Sequence, residues 1–401
     1  VKDPLGDDAP PVETRKAVTG VTLMVLAVIL LVVVRPSLGV TVALIVGLVF
    51  TIMLHEWGHY IAAKKSGMKV TEFFLGFGPR IWSFRKGETE YGIKAIPAGG
   101  YVRIIGMTNL EEIDPADEAR SYRQATVGKR LITVLAGIIV NLCIALVLIF
   151  GVLVFHGEVP PKLTTSVSAV VKNSPAAAAG FRAGDQIVGI NGAQVSDWDA
   201  FGKVIRKNAG HPLDIAVRRN GRAVTLRATP KLDQGVPRIG VSPAYASAHV
   251  GVFAAVPKTF TTGGSLVDNT VSSLGKVFSA SGIERYGKTV TSSKGGFTND
   301  ERPRSVIGIV ADGGAIVGGE WWILFFLLAA INVFVALFNL LPLPPLDGGH
   351  AAVAAYEGIA SKVRGRRVQV DYQKLLPVAA VVVVVILMFG LSTIYLDLRN
   401  L

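Results

Sequence analysis

Apolar residues in this chain gather into long blocks separated by polar segments, instead of alternating at short range. The blocks cover residues 17–34, about 38–63, about 131–155, about 321–343 and about 375–396. Each approaches the roughly 20 apolar residues that cross a bilayer as a helix. Block 17–34 has the length of a secretory signal. It lacks the small-residue cleavage pattern, however, and runs through Arg35-Pro36-Ser37 straight into the next block, so it reads as an extra N-terminal span. The pattern predicts a polytopic α-helical membrane protein of about five spans.

The polar segments divide the chain further. Residues 1–15, rich in Pro and Asp, read as a disordered tail, and 17–34 as the extra span. Residues 38–155 and 321–401 form the membrane core. Between them, 160–243 carries short alternating runs such as "LDIAVRR" and "AVTLRAT" joined by "RNGR", a strand-turn-strand signal for a β-rich insert. Residues 244–320 are a Gly/Ser/Thr-rich connecting region with an amphipathic helix expected near 265–280.

Composition supports this division. Half of the residues are hydrophobic, 17% are charged, and mean hydropathy is +0.48. The net charge of +12 invites a nucleic-acid reading. The cations are scattered and no nucleic-acid motif accompanies them, so no nucleic-acid partner is expected and the lipid bilayer is. They concentrate beside spans: Lys64, Lys65, Lys69, Arg80, Arg85, Lys86, Arg103, Lys129 and Arg130 in one loop, Lys362, Arg364, Arg366, Arg367 and Lys374 in another. By the positive-inside tendency both loops are cytoplasmic and residues 156–320 lie outside. The lone cysteine, Cys143, excludes an intrachain disulfide and a Cys-based structural zinc site.

The chemistry sits in "TIMLHEWGHYIAAKK", residues 51–65. His55 and His59 are one helical turn apart on one face, so both imidazoles can bind a single zinc ion with Glu56 beside its open position. Ionisable groups within a span are costly, about 2.5–3.5 kcal/mol for a central Asp on insertion scales, and normally find partners. Metal binding supplies them. A third ligand is needed, and the best candidate is Asp347 in "FNLLPLPPLDGGHAAVA", expected to end the fourth span. Pro342, Pro344 and Pro345 break the helix there, and non-helical backbone at membrane depth must be covered by protein or line a cavity. His350 is a rival ligand just beyond the turn.

H-E-x-x-H in one span, then an insert, then N-x-x-P-x-P-x-L-D-G-G in a later span resembles the site-two protease family of intramembrane zinc metalloproteases. The resemblance implies Zn2+ held by His55, His59 and Asp347, with Glu56 as catalytic base. "AGIIVN", residues 136–141, resembles the family's G-x-x-x-N motif, with Ala136 where Pro is frequent. "IKAIPAGGYVRIIGM", residues 93–107, resembles its membrane-associated β-hairpin, so Gly99, Gly100 and Tyr101 are candidates for holding substrate extended. Asn141 and Asn339 are candidates for an oxyanion donor or for holding substrate backbone, and equally for helix–helix hydrogen bonds. "SPAAAAGFRAGDQIVGINGAQV" in the insert resembles a bacterial PDZ domain, without a clear carboxylate-binding loop before Thr164.

The resemblance further implies regulated intramembrane proteolysis in a bacterial cytoplasmic membrane, the active site near the cytoplasmic side and the PDZ-like domain outside. Its substrates would be single-pass membrane proteins already trimmed by another protease, such as anti-sigma factors of stress signalling or signal-peptide remnants. Two other readings use the same residues differently. A scaffold would bind partners through the PDZ-like domain, and a zinc or ion transporter would line a path with His and Asp.

Overall fold

The computed structural model describes residues 39–157, 163–233, 236–245, 250–291, 296–297, 303 and 321–399. The tail and block 17–34 lie outside the described residues, as does most of 292–320. Among the described residues, four helices are long and apolar enough to cross a membrane. The chain divides into two compact units, residues 1–150 with 257–401, and residues 151–256.

In the larger unit, α1 (Gly39–Lys65) is apolar apart from the cluster of His55, Glu56 and His59 in its second half, and ends on Lys64 and Lys65. A ribbon of two long strands follows, β1 (Val70–Lys86) and β2 (Thr89–Ile104). Gly87, at φ 65°, makes the turn between them. The ribbon doubles over on itself. Gly76 and Gly78 bend β1, and Leu75 then has Ile93 on one side and Gly100 on the other. The β-hairpin expected within 93–107 is instead the second half of β2 alone: its partners lie upstream on β1, with Ile93, Lys94 and Ile96 opposite Trp82, Arg80 and Phe77, and 100–104 opposite 70–75. Glu88 at the turn takes a bidentate bond from Arg120, at 2.7 and 2.9 Å, and also pairs with Lys64. The guanidinium holds the Glu88 carboxyl down at about 2.

The second span, α2 (Val127–Phe155), crosses α1 closely at Gly58. A Cβ there would stand 2.9 Å from the Ala136 carbonyl oxygen.

In the smaller unit, β3 (Leu163–Val170), α3 (Pro175–Ala178), β4 (Gln186–Ile190), β5 (Ala193–Gln194), α4 (Trp198–Lys207), β6 (Leu213–Arg219), β7 (Arg222–Ala228), β8 (Lys231–Asp233), β9 (Val236–Arg238) and β10 (Val241–Tyr245) follow in order. The main sheet has the order β10-β3-β4-β6-β7, with β5 on β4. Leu213, Ile215 and Val217 alternate into its core against Phe181, Ile187, Phe201 and Ile205. Asn220 and Gly221, both at positive φ, form the tight β6–β7 turn that "RNGR" announced. Asp185 is fully buried beneath this sheet. It accepts two bonds from Arg219, at 2.6 and 2.7 Å, and one from the Arg182 backbone N–H at 2.8 Å.

After β10 the connecting region holds α5 (Val252–Phe278) and α6 (Ala280–Val290), where the sequence pattern predicted one short helix. The third span, α7 (Trp321–Asn339), packs on α1 through Leu44, Leu324 and Leu328. It stops at Asn339 because Pro342, Pro344 and Pro345 cannot continue the hydrogen-bond ladder. The chain turns through 340–346 and restarts as α8 (Asp347–Arg364), followed by the last span, α9 (Leu376–Arg399). Asp347 thus opens a new helix and does not end the fourth predicted span.

Replacing Asp185 with Asn leaves Arg219 without its counter-charge. The smaller unit should lose stability, read as faster amide exchange in β4 and β6 of the full chain. Arg219 holds the Asp185 carboxyl below the usual carboxylate range. Wild type should therefore keep this contribution at neutral pH and lose it as pH falls through that depressed value, whereas the Asn variant should lack the acid-side change.

Candidate metal centre

Three side chains from two helices converge. On α1, one turn separates His55 from His59, so both rings leave the same face. α8 begins with Asp347, its carboxylate in the first turn where the helix dipole favours negative charge. The Nε2 atoms of His55 and His59 are 3.2 Å apart, and each lies 3.3 Å from Asp347 Oδ2. Asp347 Oδ2 is buried and forms a well-aligned hydrogen bond with neither. The three atoms aim at a common point more than at one another. Ligands about 2.0–2.1 Å from a tetrahedral zinc stand about 3.3–3.4 Å apart. The triangle fits that ion.

The surroundings orient the ligands. His59 Nδ1 is 2.9 Å from the Thr133 carbonyl oxygen on α2, to which it donates. That bond leaves the Nε2 lone pair free for metal, the arrangement common to metal-bound imidazoles. Directly over the ring pair passes Gly137. A Cβ there would stand 2.3 Å from His59 Nε2 and 2.7 Å from His55 Cε1. The glycine of "AGIIVN" is required because α2 must cross the ligands at a distance no side chain permits.

At Asp347 the backbone is equally close. A Cβ on Gly348 would stand 2.3 Å from the carbonyl oxygens of both Leu340 and Leu341, and one on Gly349 2.6 Å from the Pro344 nitrogen. The two glycines let the proline-rich turn fold back against the first turn of α8.

Glu56, one residue from His55, is partly buried and within electrostatic reach of His55, His59 and Asp347. Gly100 of β2 packs against it, with a virtual Cβ only 3.2 Å from Glu56 Cγ and 3.0 Å from Met53 Sδ. Gly99 adopts φ 149° beside the Phe77 ring, and Tyr101 stacks on Phe74 and Phe77 and donates its hydroxyl to Glu72. Asn141 is buried on α2, one turn beyond Gly137. Asn339 ends α7 and is only partly buried. Among the described residues no recorded contact joins it to the triad. His350 is turned aside, its Nδ1 3.4 Å from the Tyr372 hydroxyl, and is not one of the converging ligands.

Sequence reasoning missed two features. The Thr133 contact is made by a backbone carbonyl, which carries no residue signature. The second is a buried ion pair, Arg130 Nη1 to Glu357 Oε2 at 2.6 Å, which ties the start of α2 to α8. Its two partners are 227 residues apart.

Comparison with known proteins decides the family. The sequence model of peptidase family M50 matches residues 43–387. The chain belongs to peptidase family M50. It is 38% identical to the zinc metalloprotease Rip1 of Mycobacterium tuberculosis, over 88% of this chain and 95% of that protein. Rip1 of Mycolicibacterium smegmatis is 36% identical, over 87% and 95%. The metalloprotease MmpA of Caulobacter vibrioides is 29% identical, over 80% and 87%. Among solved structures, the PDZ domain of an SdrC-like protein from Listeria monocytogenes aligns with 22% of this chain and 90% of its own, at 21% identity and TM-score 0.18. This M50 protein is a zinc metalloendopeptidase of the intramembrane type, a multi-pass membrane protein that acts on membrane proteins.

Gly137→Ala places a methyl group where the two imidazoles meet. Zinc affinity should fall at least about tenfold, measured by metal content after dialysis against a competing chelator. Gly151→Ala on the same helix, where a Cβ meets nothing within 4 Å, should keep its zinc.

Proposed function

We propose that His55, His59 and Asp347 hold the zinc ion and that Glu56 is the general base for peptide hydrolysis within the bilayer. The observation that carries this reading is the 3.2–3.3 Å triangle of ligand atoms with Glu56 beside it. Zinc, when bound, supplies a Lewis acid and makes water nucleophilic at neutral pH. Glu56 takes the proton from the attacking water and passes it to the leaving amine. Asn141, buried and one turn from Gly137, is proposed to donate to the developing oxyanion. Asn339 is proposed to hold substrate backbone.

A substrate that enters as a helix has its carbonyls already bonded, so it must be unwound before attack. The segment 100–104 of β2 pairs with 70–75 along one edge, and among the described residues no strand covers its other edge. A substrate strand added there would run past Gly99, Gly100 and Tyr101, with its backbone beside Glu56. The preferred substrates are single-pass membrane proteins already trimmed outside the membrane, with anti-sigma factors or signal-peptide remnants as the classes the family resemblance favours. The loop cations support a reading in which the catalytic end of α1 faces the cytoplasmic side of a bacterial cytoplasmic membrane and 156–320 lies outside. The PDZ-like reading of 160–243 rests on its sequence pattern.

Glu56→Gln keeps the shape of the site and removes the base. It should retain zinc and lose cleavage at least about a hundredfold. Full cleavage by this variant would sink the assignment, and changed ion flux with unchanged proteolysis would favour a transporter. Gly or Pro placed in the substrate's transmembrane segment should raise kcat/KM. If such substitutions slow cleavage or leave it unchanged, unwinding does not limit the reaction.

A further inference from the structure

A second polar site lies away from the zinc ligands, where the start of α2 meets the end of α8. A cavity of about 610 Å³ opens there, lined by Thr126, Arg130, Ser361, Lys362, Arg366 and Arg367, among others. Lys362 is about 22 Å along α8 from Asp347 at 1.5 Å per residue, so this cavity is not part of the hydrolytic site.

The charges in the cavity do not balance. Among the described residues the one carboxylate lining it is Glu357, and that group is fully engaged. Its Oε2 accepts from Arg130 Nη1 at 2.6 Å and its Oε1 from the Val370 N–H at 2.6 Å. Arg367 is also committed: it donates to Gln124 Oε1 at 2.7 Å and to the Arg123 carbonyl, and so closes one wall. Lys362 and Arg366 have no hydrogen-bond or ion-pair partner among the described residues. Arg130 is buried, paired with Glu357 and stacked over the Tyr122 ring at 4.9 Å, so its charge backs the cavity wall.

The backbone adds to this field. Thr126 accepts the first intrahelical bond of α2, from the Arg130 N–H at 3.0 Å, so the N–H groups of the first turn are without helical partners at the cavity wall. A long helix N-terminus and two unpaired cations beside a buried guanidinium together match a phosphate group.

The position selects the phosphate's source. The cavity lies at the start of the candidate span Val127–Phe155, and the end of a bilayer-crossing helix is where lipid headgroups begin. Beside the cations, α8 exposes Tyr356, Ile359 (68%) and Val363 (81%), a stripe at helical spacing. Apolar side chains outward with Lys and Arg next to them is the pattern of a helix seated at the boundary of headgroups and acyl chains. Basic pockets between helices at this level suit anionic headgroups.

We propose that this cavity binds the phosphate headgroup of an anionic phospholipid, which joins α2 to α8. α2 carries Thr133 and Gly137, and α8 carries Asp347. A headgroup held between them clamps the two helices that frame the metal centre.

The test uses the full-length, zinc-loaded protein in a neutral detergent. Phosphatidylglycerol, phosphatidylcholine and inorganic phosphate are each titrated, with bound lipid read by native mass spectrometry and stability by the thermal midpoint. Phosphatidylglycerol should be retained and should raise the midpoint, while phosphatidylcholine should not. Lys362→Ala/Arg366→Ala should raise the half-saturating phosphatidylglycerol concentration at least about tenfold with zinc content unchanged. A distant pair, Lys203→Ala/Lys207→Ala, should behave as wild type. The proposal is overturned if the cavity variant binds as wild type does, or if the distant pair weakens binding equally. It is also overturned if phosphatidylcholine serves as well, or if inorganic phosphate alone reproduces the shift.

Discussion

Three electron pairs, on Nε2 of His55, Nε2 of His59 and Oδ2 of Asp347, are held 3.2–3.3 Å apart in a largely buried site. Such an arrangement is costly without a cation, because the lone pairs repel and burial removes the water that would satisfy them. Local peculiarities of the membrane core follow from that demand. α2 must pass over the ligands, so it carries Gly137 there. The His59 ring must present Nε2, so its Nδ1 donates to the Thr133 carbonyl. Asp347 must reach the same point from another helix, so α7 stops and a proline-rich turn delivers the first turn of α8.

The broken helix is an electrostatic device as well as a steric one. A carboxylate in the first turn of α8 sits at the positive end of a helix dipole, which offsets part of its burial cost. An Asp in the middle of a continuous span would have its backbone already bonded and no such field. The close packing of Gly348 and Gly349 on residues 340–344 keeps the turn compact enough to lie at the depth of the histidines. Farther along α8, the Arg130–Glu357 ion pair fixes the helix to the start of α2. α8 is thus held in its first turn by the convergence of Asp347 with His55 and His59, and past its middle by a buried charge pair. Removing either partner of such a pair leaves an uncompensated charge in a dry place.

Much of this was legible in the chain. His55 and His59 share a face by helical periodicity alone, and polar groups inside an apolar block demanded a partner of the same depth. Asp347 met that demand. Less legible was the element that carries it: apolar residues continue past Asn339, and only the prolines hint that the helix ends before the aspartate. The ribbon posed a similar difficulty. Residues 93–107 looked like a whole hairpin but supply part of one strand, and the ribbon's doubling back, with Leu75 between Ile93 and Gly100, depends on glycines at Gly76 and Gly78 taking positive φ. A glycine permits that conformation without announcing it.

What the sequence determined by itself was therefore residue types and periodicities: two imidazoles one helical turn apart in an apolar block, the apolar spans, the alternating strands and tight "RNGR" turn of the insert. These depend on residues near one another in the chain, through helix and strand geometry and through the cost of polar groups in hydrocarbon. Tertiary structure alone decided which distant groups meet. The Thr133 carbonyl on His59, Gly137 over both imidazoles, Arg130 against Glu357 and Gly100 against Glu56 are contacts between segments far apart in the chain. Each depends on ångström-level approach of packed backbones, and no periodicity of one segment encodes that distance.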